Sequence, residues 1–337
     1  MTHGSTITGK HARCAVATVA ALAGMTAYGV PAAAADFPDR QVTLVVPMAA
    51  GGPTDTVARM VQIKMGEKLG HPVVIDNRAG ASGNIGINAV RRSPADGYML
   101  SVASATTHAI AVNVYEKVAY DPIKDFVPVG GIVVAPGVLI TSPEAAPGCK
   151  MSAFLDKLRA TPGKMQFGSA GTGSLSHMSG ARFLAATRTE MLHVPYKGLS
   201  AAMNDMYAGQ IDAAFDNVSS ALSHIKSGKV CALAVQSPER LSVLPDVPTY
   251  KELGYPELNK PTWYGIVAPA NTPRPVVEKL NQALNYALAS QDVRTAFDSL
   301  GVTPSPTTPD EFAKQIKDEI ALWKDTTERM NFQKIKQ

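Results

Sequence analysis

Short apolar runs alternate with segments of helical period along most of this 337-residue chain, and no other feature restricts its fold as strongly. Val42-Thr43-Leu44-Val45-Val46 reads as a buried strand, and Val57, Met60, Val61, Met65 and Leu69 follow it on one helical face. Val73 to Ile75 is a second strand, Ile85 to Arg92 a second helix and Tyr98 to Ala103 a third strand. Repeated β-α units predict an α/β fold with a mainly parallel sheet covered by helices on both faces. The pattern then restarts. Helices over 154–160, 174–186, 201–207 and 221–226 alternate with strands over 165–169, 192–194, 211–215 and 230–235, and a Pro-rich stretch at 245–261 ends the unit. A strand over 263–269 and helices over 275–289, 292–300 and 309–330 follow, the last with Thr308 or Asp310 as its cap. One strand and three helices cannot bury their apolar faces alone, so they are expected to complete the first unit. Domain 1 then comprises 36–138 and 262–337, with domain 2 inserted at 139–261. Two crossovers make a hinge, and the cleft lies at the ends of the strands.

Residues 1–35 read as a secretory signal peptide: Lys10 and Arg13, an uncharged Ala-rich run to about Val30, then Pro31 and four alanines, with cleavage after Ala35. The run is short and Gly-broken for the roughly 20 residues of a membrane span. Removing it lowers the formal charge from +4 to +2, too weak a basic excess for a nucleic-acid partner. Cys149 and Cys231 remain. In an exported chain they form a disulfide or stay as two separate buried thiols, and their spacing does not choose. They do not make a metal site.

In "PMAAGGPTD" (47–55), Gly51 and Gly52 turn the chain tightly after the first strand, Pro53 opens a helix, and Thr54 or Asp55 is placed to cap it. Free amides and the helix dipole favour an anion there. A phosphate loop requires Lys-Ser/Thr after its last glycine. Here Pro53-Thr54-Asp55 takes that place, so a singly charged group or its bridging water is expected instead of a polyphosphate. "GSAGTGSLSHMSG" (168–180) repeats the form in the second unit, with Ser169, Gly171, Thr172, Gly173 and Ser174 at the turn and His177 one turn in. Three further loops offer polar groups at strand ends: Ser104, Thr106, Thr107 and His108; Tyr196 and Lys197; and Asp216 and Asn217. Together they describe a binding cleft. Casting Ser174, His177 and Asp216 as nucleophile, base and orienter is a poor alternative. Ser174 and His177 share one short helix, and no G-x-S-x-G elbow occurs.

"FPDRQVTLVVPMAAGGPTDTVAR", "VVIDNRAGASGNIG", "ADGYML", "YDPIKDFVPVG", "TPGKMQFGSAGTGSLSH", "HVPYKG", "LPDVPTYKELG" and "GIVAPANTP", in this order, resemble the periplasmic solute receptors of tripartite tricarboxylate transporters, the Bug (TctC-like) family. The resemblance implies a two-lobed periplasmic-binding-protein (Venus flytrap) fold, no catalysis and no cofactor. It implies a monomer in the periplasm that carries a small organic carboxylate, a di- or tricarboxylate or an aromatic one, to transmembrane permease subunits. A receptor reporting to a membrane sensor kinase is the second reading, and a secreted hydrolase the third. The ligand carboxylate is expected at Thr172 to Ser174 with His177 nearby, and bridging waters at Ala49, Ala50, Gly51 and Gly52. Asp216 would face an amine or hydroxyl of the ligand. Met48 stands where many relatives carry Phe.

Overall fold

The computed structural model describes residues 37–336, so the expected signal peptide lies outside the described residues. The chain forms β1 (Val42–Val46), α1 (Pro53–Leu69), β2 (Val73–Asn77), α2 (Asn84–Arg91) and β3 (Met99–Ser104). A π-helical turn (Thr106–Ile110) runs into α3 (Ala111–Val114), and two consecutive strands follow, β4 (Phe126–Ala135) and β5 (Gly137–Thr141). Then come α4 (Met151–Ala160), β6 (Gln166–Ser169), α5 (Leu175–Thr187), β7 (Leu192–Pro195), α6 (Leu199–Tyr207), β8 (Ala213–Asn217), α7 (Val218–Lys226) and β9 (Cys231–Gln236). The chain ends with β10 (Thr262–Pro269), α8 (Arg274–Ala289), α9 (Gln291–Ser299), β11 (Thr303–Pro304) and α10 (Pro309–Arg329).

Two sheets result, ordered β11-β4-β10-β3-β1-β2 and β7-β6-β8-β5-β9. In the first, β1 to β4 run one way, and β10 is antiparallel to both neighbours. In the second, only β5 runs against the rest. Sheet membership changes at Pro136, between β4 and β5, and the chain returns through 237–261 to β10.

β1 shows why both faces of the first sheet are covered. Val42, Leu44 and Val46 join the core built with α1 and α8, whereas Val45 joins the opposite core with α2 and α10. Alternate side chains leave a strand on opposite faces, so an apolar residue at nearly every position means burial on both. The second sheet does the same through Leu139 on one side and Val138 and Ile140 on the other. α10 packs on the first sheet, with Thr308 and Glu311 forming a reciprocal capping box. Met178 of α5 is the exception: it is buried in the first lobe's core, so α5 belongs to the interface between lobes. Cys149 and Cys231 are bonded, tying the turn before α4 to the start of β9.

Candidate ligand-binding site

A cavity of about 860 Å³ lies between the lobes. On the first-lobe side the β1–α1 turn supplies Met48, Ala49, Ala50, Gly52, Pro53 and Thr54. Gly51 takes a left-handed φ of +78°, which places its N–H on the Asp55 carboxylate at 2.9 Å. That carboxylate also accepts from Arg59 Nε (2.8 Å) and Asn77 Nδ2 (2.9 Å). Burial works to raise the Asp55 pKa, but these three donors outweigh it and hold the group below its ordinary value. Asp55 is therefore a clip for the loop and does not cap α1. The N-cap is Gly52, which offers no side-chain acceptor, and Pro53 follows. The first amides of a helix have no intrahelical partner; Pro53 has no N–H, so the amide of Thr54, a lining residue, is the donor that the start of α1 can offer the cavity.

The second-lobe side is the start of α5. Gly171, Thr172, Ser174 and Ser176 line the cavity. Ser174 is the N-cap: its Oγ accepts from the His177 N–H at 3.3 Å and pairs with Ser176 Oγ at 3.0 Å. Ser176 Oγ in turn accepts from the Ala170 N–H at 2.9 Å. His177, expected beside the ligand, is not among the lining residues. Its Nδ1 accepts from the Gly173 N–H (3.1 Å), and its ring stacks on His193 at 3.9 Å between centroids. Burial lowers His177 to a pKa of about 4, so it is neutral at pH 7. Ser169 and Gly173 also stand behind the wall. Ser169 Oγ is hydrogen-bonded to His193 Nε2 at 2.6 Å, and Gly173 lies against Tyr115, whose hydroxyl would meet an added Cβ at 2.6 Å.

The expected loop at 103–109 is instead the π-helical turn. It buries Thr107 and His108 completely, and only Ser104 and Thr106 reach the cavity. His108 Nδ1 pairs with Thr107 Oγ1 at 3.0 Å, Phe126 packs edge-on against the ring, and burial lowers the pKa to about 3. Tyr196 and Lys197 line the cavity. The Tyr196 hydroxyl, however, is committed to Asp205, to which it donates at 2.7 Å. Toward the hinge, Asp216 and Asn217 line the deep end with Gln236, Thr262 and Tyr264. Asp216 Oδ1 accepts from the Asn217 N–H (2.7 Å) and Ser220 Oγ (2.6 Å). No cation pairs with it among the described residues, and burial pushes its pKa up to about 6. Asn217 Nδ2 donates to Tyr264 Oη at 2.6 Å.

Sequence reasoning missed the 79–83 loop, Tyr115, Tyr264 and Thr262. For the loop a signal existed: "RAGASGN" has the small-residue spacing of the other two cavity turns. The tyrosines carry none: Tyr264 sits in an apolar run that reads as core, and Tyr115, in "NVYEKV", has no turn pattern beside it. The site is built for holding and not for reacting. Ser174 Oγ meets the backbone N–H of His177 and not its ring, and Asp216 bonds to neither. Among the described residues no group of three His, Cys, Asp or Glu side chains is arranged to hold a metal.

The model of the tripartite tricarboxylate transporter family receptor matches residues 57–332. Protein BugT of Bordetella pertussis is 36% identical, over 90% of this chain and 92% of its own. MatC of Rhodopseudomonas palustris, solved with bound malate, is 36% identical with a TM-score of 0.81, covering 86% of this chain and 99% of that one. Another R. palustris protein, solved with adipate, is 32% identical with a TM-score of 0.85, covering 89% and 100%. The matched family consists of solute-binding receptors and not enzymes, and this chain belongs to it.

Proposed function

We propose that this receptor works in the periplasm as a monomer. There it binds a small organic carboxylate, a di- or tricarboxylate or an aromatic one, and delivers it to the permease subunits of a tripartite tricarboxylate transporter. Domain 1 (36–138 and 262–337) and domain 2 (139–261) close on the ligand. The observation that carries the reading is the convergence of two helix starts, α1 and α5, on one interlobe cavity whose charged side chains are Lys197, Lys336 and Asp216 and whose other polar groups are hydroxyls and amides. Amide donors and the positive ends of two helix dipoles favour a carboxylate. Malate and adipate in two relatives support that ligand class.

Within the cavity the carboxylate sits at Thr172, Ser174 and Ser176, with Ala49, Ala50 and Gly52 holding it through water. Asp216 takes a hydroxyl or amine at the deep end, and Met48 sets the width beside α1. Closure follows because a ligand touching both walls binds the closed form better than the open one. The test is a thermal-shift screen against a carboxylate library. A ligand at 100 times its dissociation constant stabilises by about 2.7 kcal/mol. A library in which no carboxylate raises the melting temperature overturns the ligand class.

A further inference from the structure

The carbonyl of Thr172 stands on the second-lobe wall, yet both of its donors come from the first lobe: Tyr115 Oη at 2.5 Å and Ser82 Oγ at 2.7 Å. The amide of the same peptide unit, Gly173 N–H, is held on the opposite side by His177 Nδ1. One residue pair further on, the Leu175 N–H donates to Thr106 Oγ1, also from the first lobe, at 3.1 Å. The approach is close enough to require glycine. At Gly173 φ is +75° and an added Cβ would lie 2.6 Å from Tyr115 Oη; at Gly171 it would lie 3.2 Å from Ser82 Oγ. Ser82 is delivered by a strained loop in which Ala81 and Ser82 take φ of +46° and +50°. Consecutive left-handed non-glycine residues persist only where the surroundings over-determine them.

We propose that Tyr115 and Ser82 are positioning residues. They clamp the Thr172–Gly173 peptide from across the cleft, so that the α5 start takes its ligand-holding form only when the lobes are together. Opening the lobes removes both donors from the Thr172 carbonyl and leaves His177 Nδ1 as the holder of that peptide, which loosens it and weakens its hold on whatever Thr172 and Ser174 bind. The clamp rests on the carboxylate reading for what is released, but not for the closure itself.

Closure is measurable without a ligand, because a Cβ built at Gly198 lies 3.6 Å from Ala49 Cβ across the cleft. That spacing suits a disulfide. The Ala49→Cys/Gly198→Cys pair traps the closed form on oxidation. Adding Tyr115→Phe and Ser82→Ala should slow trapping about 10-fold, the scale of two lost hydrogen bonds. In the chain without the trapping pair, the same two changes should weaken malate or adipate binding by a similar factor for each probe, while leaving the unliganded melting temperature unchanged. Equal trapping rates overturn the clamp. So does a fall in the unliganded melting temperature that matches the loss of binding, which would mark the two residues as structural. If neither probe binds the unaltered protein, the carboxylate reading fails and the trapping rates still decide the clamp.

Discussion

Asp216→Asn should make the ligand-free protein more stable at neutral pH. Asp216 is 7% exposed, its Oδ1 is satisfied by Asn217 and Ser220, and no cation is paired with it among the described residues. Burial raises its pKa from 3.8 to about 6. A folded-state value above the unfolded one means the neutral form is favoured by folding. The group's stabilisation is then complete below pH 3.8 and lost as the pH rises through about 6. The difference corresponds to about 3 kcal/mol at pH 7.5. An amide mimics the neutral acid and keeps Oδ1 as an acceptor. Urea unfolding at pH 7.5 should therefore show Asp216→Asn more stable by about 2–3 kcal/mol, with the gain shrinking toward zero near pH 4. Binding should move the other way. Ligands with a hydroxyl or amine at the deep end should lose affinity in the variant, and in the unaltered protein as the pH falls below 6. A variant that is less stable at pH 7.5, or a gain independent of pH, refutes the reasoning.

Asp55→Ala leaves the Gly51 N–H without its acceptor and Asn77 Nδ2 with only the Met48 carbonyl at 3.4 Å, and should cost about 2–3 kcal/mol in urea unfolding. Because the Asp55 pKa is depressed, its contribution should fade as the pH falls below 3.8. Ser174→Ala removes the α5 cap and should cost about 1 kcal/mol of stability apart from any effect on binding, as read by the melting temperature without ligand. Reducing the Cys149–Cys231 bond, whose ends are 82 residues apart, should destabilise by about 4.5 kcal/mol on the chain-entropy model, seen as a lower melting temperature in reductant.

Periodicity made the β-α units legible because strands such as Val42–Val46 are apolar on both faces while helices such as α1 are apolar on one. The two strands that pass between the lobes were hidden. "FVPVGGIVVAPGVLIT" is broken by prolines and glycines, and the close approaches that require Gly130 and Gly131, to Asn281 and Ser305, are far away in sequence. The π-helical turn was hidden because Thr106, Thr107 and His108 are weak helix formers whose burial comes from tertiary packing. Of the site, the backbone turns were the readable part, since glycine at a strand-to-helix junction has a local cause. Side-chain roles were not. Whether His177 faces a ligand or stacks on His193 depends on a strand that the helix meets only in the fold. Asp55, placed as a cap, proved to reach back to Gly51.

The central claim is that an organic carboxylate is held at the start of α5. Calorimetric titration of malate, adipate and aromatic carboxylates into the unaltered protein and into Thr172→Val/Ser174→Ala tests it most directly. One site per chain is predicted for at least one of these ligands, weakened by roughly 1–3 kcal/mol in the double variant, the scale of hydrogen bonds to a charge. Absence of binding by every carboxylate, or an affinity that the double variant leaves unchanged, contradicts it.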